Sequence, residues 1–176
     1  MDNSNKKIWT IGHSDHTLEE FTAWLKSFKI QLLADVRSYP GSNYVPHFNK
    51  ENLAQSLPEN DIEYLHLKKL GGRRRGKAHS SNTVWRNKSF RAYADYMETD
   101  SFQSGVEKLM EAAQNKRTAI MCSEAVWWRC HRSMVADFLK AHGWEVIHIM
   151  DEDKGKEHPY TSPASVKQGE LVYGPK

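Results

Sequence analysis

RTAIMCSEAVWWRCHRSMVADFLKAHGW, residues Arg117–Trp144, carries the clearest strand–helix–strand pattern in the chain. Its opening, Thr118-Ala119-Ile120-Met121, is apolar and short enough to be a buried strand, and it stops abruptly at Cys122-Ser123-Glu124. An aromatic loop from Ala125 to Arg129 follows, carrying Trp127 and Trp128. Cys130-His131-Arg132 then opens a segment in which Met134, Phe138 and Leu139 recur at helical spacing until Gly143, a helix stop. Trp144 to Ile149 reads as the next strand. Strand, loop, helix and strand make a βαβ unit. In open α/β sheets ligands sit outside the carboxyl ends of the strands, which here means Cys122, Ser123 and Glu124.

The same logic extends toward the N-terminus. Lys7 to Gly12 reads as a first strand ending in His13-Ser14, and Thr17 with Glu20 has capping-box spacing before Phe21, Trp24, Leu25 and Phe28. Ile30 to Val36 is an almost wholly apolar second strand, the pattern of a strand covered on both faces. It ends in Asp35-Val36-Arg37 and runs into a loop, Ser38 to Asn43. Asn49 is placed to cap a short helix through Leu57, and Ile62 to Leu67 is a third strand. Lys68 to Lys88 has no periodicity, and a structureless stretch of ~20 residues is unusual in a compact domain. Two helices are expected next, one from Phe90 to Met97 and one from Thr99-Asp100 to Ala113.

Strands alternating with helices imply a single-domain α/β fold over residues 7–150: an open, mostly parallel sheet flanked by helices and built from βαβ units. Residues 1–6 are expected to form a frayed end. The tail, residues 151–176, is expected to pack on the same domain, with a short edge strand at Leu171-Val172-Tyr173. Parallel strands bring Gly12-His13-Ser14, Asp35-Val36-Arg37 and Cys122-Ser123-Glu124 to one edge of the sheet.

Composition narrows the classes. With 176 residues the chain is large enough to bury a real core, and no apolar run approaches the ~20 residues of a membrane helix. The polar start lacks the apolar segment of a signal peptide, and two cysteines make no disulfide framework, so a cytoplasmic, membrane-free protein is expected. A net charge of +3 does not by itself announce a nucleic-acid binder. The local run Lys68, Lys69, Arg73, Arg74, Arg75 and Lys77 does create an anion-attracting field.

In this order the pieces resemble a known family, the domain of unknown function 488. They are Thr10-Ile11-Gly12-His13-Ser14 with Glu20-Phe21, and Asp35-Val36-Arg37-Ser38 with Pro40 and Ser42. Pro46, Phe48, Tyr64 and Leu70-Gly71-Gly72 follow, then Met121-Cys122-Ser123-Glu124 and Cys130-His131-Arg132. Asn43 stands where an arginine often follows in the family, and Ser123 where an alanine often does. The resemblance implies a bacterial or archaeal α/β domain and supplies no settled activity.

Chemistry must therefore come from the residues. Asp35 and Glu124 at strand ends can serve as an acid and base pair if burial separates their pKa values, a pairing suited to hydrolysis of a glycosidic bond. The competing reading makes Asp35 a buried partner of Arg37 or Arg132. His13 is a candidate base or substrate contact. Cys130, beside His131 at a helix start, suits a thiolate nucleophile, with Cys122 as its resolving partner or a small core hydrophobe. Arg37, Arg132, Arg73 and Arg74 offer phosphate donors, with Ser14, the Gly12 backbone, Ser38 and Ser123 beside them. Trp127, Trp128 and Tyr44 are loop aromatics able to stack on a base. Neither a Walker nor a dinucleotide fingerprint is present, and no zinc spacing appears, so no cofactor and no metal are expected.

The leading expectation is an enzyme acting on a phosphate-bearing small molecule or nucleic acid with an accessible base. The reaction expected is hydrolytic, with an N-glycosidic bond as the finer reading. Glu124 would activate water, with Asp35 or His13 assisting. The alternatives are a thiol enzyme using Cys130 and Cys122, for sulfur transfer or redox chemistry, and a non-catalytic nucleic-acid or effector-binding module.

Overall fold

A computed structural model describes residues 6–174. The frayed end expected over residues 1–6 therefore falls, apart from Lys6, outside the described residues. The elements follow in chain order: β1 (Lys7–Gly12), α1 (Leu18–Ser27), β2 (Leu32–Asp35), α2 (Lys50–Ser56), β3 (Glu63–His66), α3 (Lys88–Tyr96), α4 (Asp100–Asn115), β4 (Thr118–Cys122), α5 (Arg132–Ala141), β5 (Glu145–Asp151), β6 (Lys154–Glu157), β7 (Ala164–Lys167) and β8 (Glu170–Tyr173). Six strands form one sheet in the order β3-β2-β4-β1-β5-β6, in which all neighbours are parallel except β5 and β6. The mostly parallel, helix-flanked α/β sheet expected from the sequence is the fold of this protein.

Period-two burial explains why the strands read as continuous apolar runs. Trp9, Ile11, Leu33, Ala119 and Met121 point to one face, where they meet Phe21 and Leu25 of α1 and Leu53 of α2. Ile8, Ala34, Ile120 and Val146 point to the other, against α4 residues Phe102, Val106 and Leu109 and α5 residues Met134 and Phe138. Thus β1 hands the chain to a helix on one face, whereas its neighbour β4 hands it to a helix on the opposite face. The crevice between their carboxyl ends is a topological switch point.

Local signals set the helix ends. Thr17 and Glu20 form a reciprocal capping box, with Glu20 N–H donating to Thr17 Oγ1 at 3.1 Å and Thr17 N–H donating to Glu20 Oε1 at 3.2 Å. Asn49 stands at the start of α2, but its side chain does not cap the helix. Asn49 Oδ1 instead accepts from Ser42 N–H at 2.7 Å and ties down the loop after β2.

The aperiodic stretch after β3 is held by side chains rather than by a ladder. Lys68–Leu70 forms one 3-10 turn, and beyond it Asp95 of α3 accepts from Lys77 N–H (3.0 Å), Ser80 Oγ (2.6 Å) and Asn82 Nδ2 (2.7 Å). Burial works to raise the Asp95 pKa, but these bonds outweigh it and hold the carboxyl below its ordinary value.

The tail departs from expectation in two ways. Lys154–Glu157 joins the main sheet as an antiparallel edge strand, although its side chains are exposed and carry no apolar alternation. The strand expected at Leu171–Tyr173 forms, but it pairs with β7 in a separate hairpin instead of edging the main sheet. Asp137 of α5, fully buried, ties this region to the core. Its carboxylate accepts from His158 Nε2–H (2.8 Å), Thr161 N–H (3.0 Å), the Thr161 hydroxyl and the Tyr173 hydroxyl (2.7 Å). His158 Nδ1 in turn meets His148 Nε2 at 2.8 Å, and His148 Nδ1 meets the Thr10 hydroxyl, so a buried chain of polar contacts runs from β1 to the hairpin. Among the described residues, no helix is long and apolar enough to cross a membrane.

Removing one partner from a buried hydrogen-bonded network leaves the others unsatisfied, at a cost of roughly 3–5 kcal/mol. Asp137→Ala is expected to lower the urea midpoint by a corresponding amount. It should also raise amide exchange over residues 158–173 before the sheet exchanges. Unchanged exchange there would contradict the tether.

Candidate functional site

The ladder between β1 and β4 continues past both strands: His13 N–H donates to Cys122 O and Ser14 N–H to Ser123 O, both at 3.0 Å. On the other flank of β4, Val36 N–H donates to Met121 O at 3.0 Å. Ser14 takes a left-handed conformation (φ 45°) as the chain turns away toward α1. The three strand ends therefore meet, and they open into a cleft of about 730 Å³. His13, Ser14, Arg37, Ser38, Ser123 and Glu124 line its base. Tyr39, Tyr44 and Phe90 supply its aromatic surface, Arg73 and Arg129 its outer cations, and Cys122, Cys130 and His131 one wall.

Gly12 does not face this space. A Cβ there would lie 1.7 Å from the Glu124 carbonyl oxygen, so only glycine lets the Ser123–Glu124 backbone cross the end of β1. Its role is to set the position of Glu124. Gly72 acts similarly on the far wall, where a Cβ would lie 2.5 Å from His131 Nδ1.

Asp35 is fully buried and does not line the cleft. Its Oδ1 accepts from Arg37 N–H (3.1 Å) and Nε (2.9 Å), and its Oδ2 from Arg37 NH2 (2.8 Å) and the Tyr64 hydroxyl. Burial and the adjacent Asp35 charge push the Tyr64 hydroxyl pKa up, so it stays a donor. Arg37 NH2 also donates to Phe48 O at 2.7 Å, and NH1 to His13 Nε2 at 3.2 Å. Of the five guanidinium hydrogens, one on NH1 is left uncommitted among the described residues.

His13 is only 4 % exposed and stacks on Phe48 with ring centroids 4.6 Å apart. Its Nδ1 lies 2.8 Å from the Ser14 carbonyl, which can only accept, so Nδ1 carries the proton and Nε2 offers its lone pair to Arg37. Burial first, then the Arg37 charge, lowers its pKa to about 4. His13 is thus a neutral ring whose basic nitrogen is occupied. Glu124 is different: it is exposed in the cleft, and its carboxylate bonds to no side chain or amide among the described residues. The acid and base pair expected from Asp35 and Glu124 is therefore reduced to Glu124, because Asp35 spends its lone pairs on Arg37 and Tyr64.

The loop aromatics also redistribute. Trp127 is buried, stacked on His148 at 4.6 Å, and Trp128 is exposed outside the cleft. Tyr44, 96 % exposed, does line the cleft, as does Tyr39, which sequence reasoning passed over although it directly follows Ser38. Tyr39 lies under two cations, Lys68 (5.7 Å) and Arg73 (5.3 Å). Arg73 N–H donates to Ser38 Oγ at 3.0 Å and joins the two loops across the opening. Arg74 is turned away, bonded to the Gly71 and Lys68 carbonyls and packed 3.7 Å over Tyr96.

The cysteine wall reverses an expectation. A helix start was expected to lower the Cys130 thiol pKa, but burial raises it well above its ordinary value, with Cys122 pushing the same way. Burial also works to raise Cys122, but the Cys130 thiol and the Arg132 charge outweigh it and bring Cys122 down. Cys130 Sγ lies 3.4 Å from His131 Nδ1, while His131 Nε2–H donates to Val36 O at 2.8 Å, so the Nδ1 lone pair faces the thiol. Arg132 sits beneath, 2 % exposed and outside the cleft. Among the described residues its NH2 reaches only the Glu124 and Ala125 carbonyls (3.4 and 3.3 Å), and its Nε and NH1 have no partner. Among the described residues, no group of three or more His, Cys, Asp or Glu side chains is arranged to hold a metal ion.

These features define a class, an open α/β sheet with a cationic, tyrosine-edged cleft at its switch point. Residues 17–139 match the family model described as Domain of unknown function DUF488, and the chain belongs to that family. The match begins after β1, so His13 and Ser14 enter the cleft from outside the matched span. No curated protein and no solved structure matches the chain.

Two buried histidines, His13 and His148, and the partly exposed His131 give the fold a defined acid limit. Burial depresses His13 and His131 to about 4 and His148 to about 2, against 6.5 when exposed. Between those values the unfolded chain binds protons that the folded chain does not, so stability falls as pH drops. Each histidine contributes about 1.4 kcal/mol per pH unit within its window. The urea midpoint should decline from pH 7 to pH 4.5, and less steeply in His148→Asn. A flat profile would contradict neutral burial.

Proposed function

We propose that the chain is a hydrolytic enzyme whose cleft binds a ligand carrying phosphate and an aromatic base, a nucleotide or a nucleic acid with an accessible base. One observation carries this reading: the cleft at the switch point combines arginines with exposed tyrosines at the edge where three strands end. Arg37 is held rigidly by Asp35 and keeps one donor for an anion, while Arg73 and Arg129 add positive charge to the lining. Tyr44 presents a ring face suited to stacking on a base, an interaction worth ~1–3 kcal/mol per base, and Tyr39 holds Lys68 and Arg73 beside it through its ring. Glu124, the uncommitted carboxylate at the strand end, is the group suited to activate water. An N-glycosidic bond is the finer form of the proposal. A carboxylate beside the sugar carbon of a stacked nucleoside both draws a water proton and stabilises developing positive charge. Asp35 and His13 serve in this scheme as positioning residues for Arg37.

The test is calorimetric titration with a nucleoside monophosphate and a short single-stranded oligonucleotide, followed by assay for free base. Arg73→Ala with Arg129→Ala should weaken binding about tenfold or more, ~1.4 kcal/mol per factor of ten, and the difference should shrink at high salt. Glu124→Gln should bind as the wild type does and release no base. No binding of either ligand at millimolar concentration would refute the proposal.

A further inference from the structure

The cleft does not end at Arg73. Gly72, Arg73 and Ser89 also line a second hollow of about 480 Å³, whose remaining wall is Arg74 and Arg75. The two spaces run into each other along the aperiodic segment after β3. Exposure alternates there. Arg74 is half-buried, with its guanidinium bonded to the Gly71 and Lys68 carbonyls, whereas Arg73 and Arg75 on either side are exposed. Among the described residues the ion pairs involve neither of them, nor Arg129. A residue spans at most ~3.6 Å of chain, so the backbones of Arg73 and Arg75 are no more than about 7 Å apart. The segment is anchored on both sides of Arg75: Arg73 N–H donates to Ser38 Oγ and Lys77 N–H to Asp95 Oδ2, each at 3.0 Å. The start of α3 is not the source of the positive field, because the Ser89 and Phe90 amides already donate to Asn87 Oδ1 (2.8 and 3.1 Å). Side chains carry the charge.

We infer, resting on the ligand class proposed above, that the cleft and this second hollow together hold a single strand of nucleic acid, with Arg75 and the Ser89 hydroxyl forming a subsite for the next phosphate along it. A mononucleotide has one phosphate, and Arg37, Arg73 and Arg129 already line the place for it. The second hollow would then keep its positive charge unopposed. A polymer fills both spaces. The nucleotide whose base stacks on Tyr44 sets its own phosphate against Arg37 and Arg129. Arg73, common to both spaces, stands between that phosphate and the following one, which Arg75 receives. The short step from Arg73 to Arg75 is within the reach of one nucleotide of an extended strand. A duplex is excluded from this arrangement, because its bases are stacked inside and the base bound here must stand free. Arg74, which the sequence offered as a phosphate donor, yields that role to Arg75, since two carbonyls and the Tyr96 ring hold it on the inner side.

The test is calorimetric titration of the folded protein with thymidine monophosphate, the dinucleotide and the hexanucleotide at several salt concentrations, with a hairpin duplex and poly-L-glutamate as controls. Affinity should rise about tenfold or more from mononucleotide to hexanucleotide. Arg75→Ala should remove most of that gain and leave mononucleotide affinity as in the wild type. It should also lower the slope of log affinity against log salt by ~0.7, the value of one phosphate contact on a single strand. Arg75 is exposed, so the fold does not depend on its side chain, and Arg75→Lys should restore most of the gain. Equal affinity for mononucleotide and hexanucleotide would overturn the inference and leave the cleft reading standing. So would wild-type hexanucleotide affinity and salt slope in Arg75→Ala, or tighter binding of the duplex or of poly-L-glutamate than of the single strand. Hexanucleotide binding that needs Arg75 but is indifferent to Tyr44→Ala, with no mononucleotide bound, would uphold the phosphate subsite and count against the base site in the cleft.

Discussion

The carbonyl of Glu124 occupies the space where any side chain at position 12 would stand. That single constraint fixes how β1 and β4 leave the sheet. With glycine at position 12, the backbone after β4 crosses the end of β1, and the hydrogen bonding between them continues to Ser14, two residues past β1, and Ser123, one past β4. From there β1 turns toward a helix on one face and β4 toward a helix on the other. The cleft is what remains between these diverging paths. Each cleft group is therefore positioned by backbone: Glu124 by the crossing, Ser14 by the turn, Cys122 by its place as the last residue of β4.

Two buried arginines stand on either side of that crossing, and they are treated in opposite ways. Arg37 has four of its donors satisfied, by Asp35, Phe48 O and His13. A buried pair of this kind adds little net stability against an apolar replacement. Its consequence is positional, since the guanidinium cannot change rotamer without orphaning Asp35. Among the described residues Arg132 has two nitrogens without partners and no carboxylate bonded to it. The cleft thus receives its rigid cationic character from Arg37, while Arg132 stays buried outside it.

Much of the architecture was legible because the strands are covered on both faces and so read as short apolar runs bounded by turns. The limits of β1 and the capping box at Thr17 follow directly from local residues. Strand order was not legible: β4 inserts between β1 and β2, a long-range pairing that no local pattern encodes. The edge strand Lys154–Glu157 was missed because four exposed positions with no apolar side chain look like a loop. At the site, the strand ends were readable from the break between apolar and polar residues. What each polar residue does there was not. Asp35 and Glu124 look alike in the chain, and only three-dimensional burial against Arg37 and Tyr64 separates them. Trp127 and Tyr39 likewise exchanged importance, since a loop tryptophan can lie beneath the loop while a loop tyrosine stands over its rim.

The central claim is that the convergence of the three strand ends forms the ligand site. It is tested most directly by amide chemical-shift perturbation during titration of the isotope-labelled protein with a nucleoside monophosphate. The expected shifts are confined to residues 13–15, 37–44, 72–73 and 122–131 and saturate together with one affinity. Shifts centred elsewhere, such as on the β7–β8 hairpin, or a spectrum unchanged at saturating ligand, would contradict it.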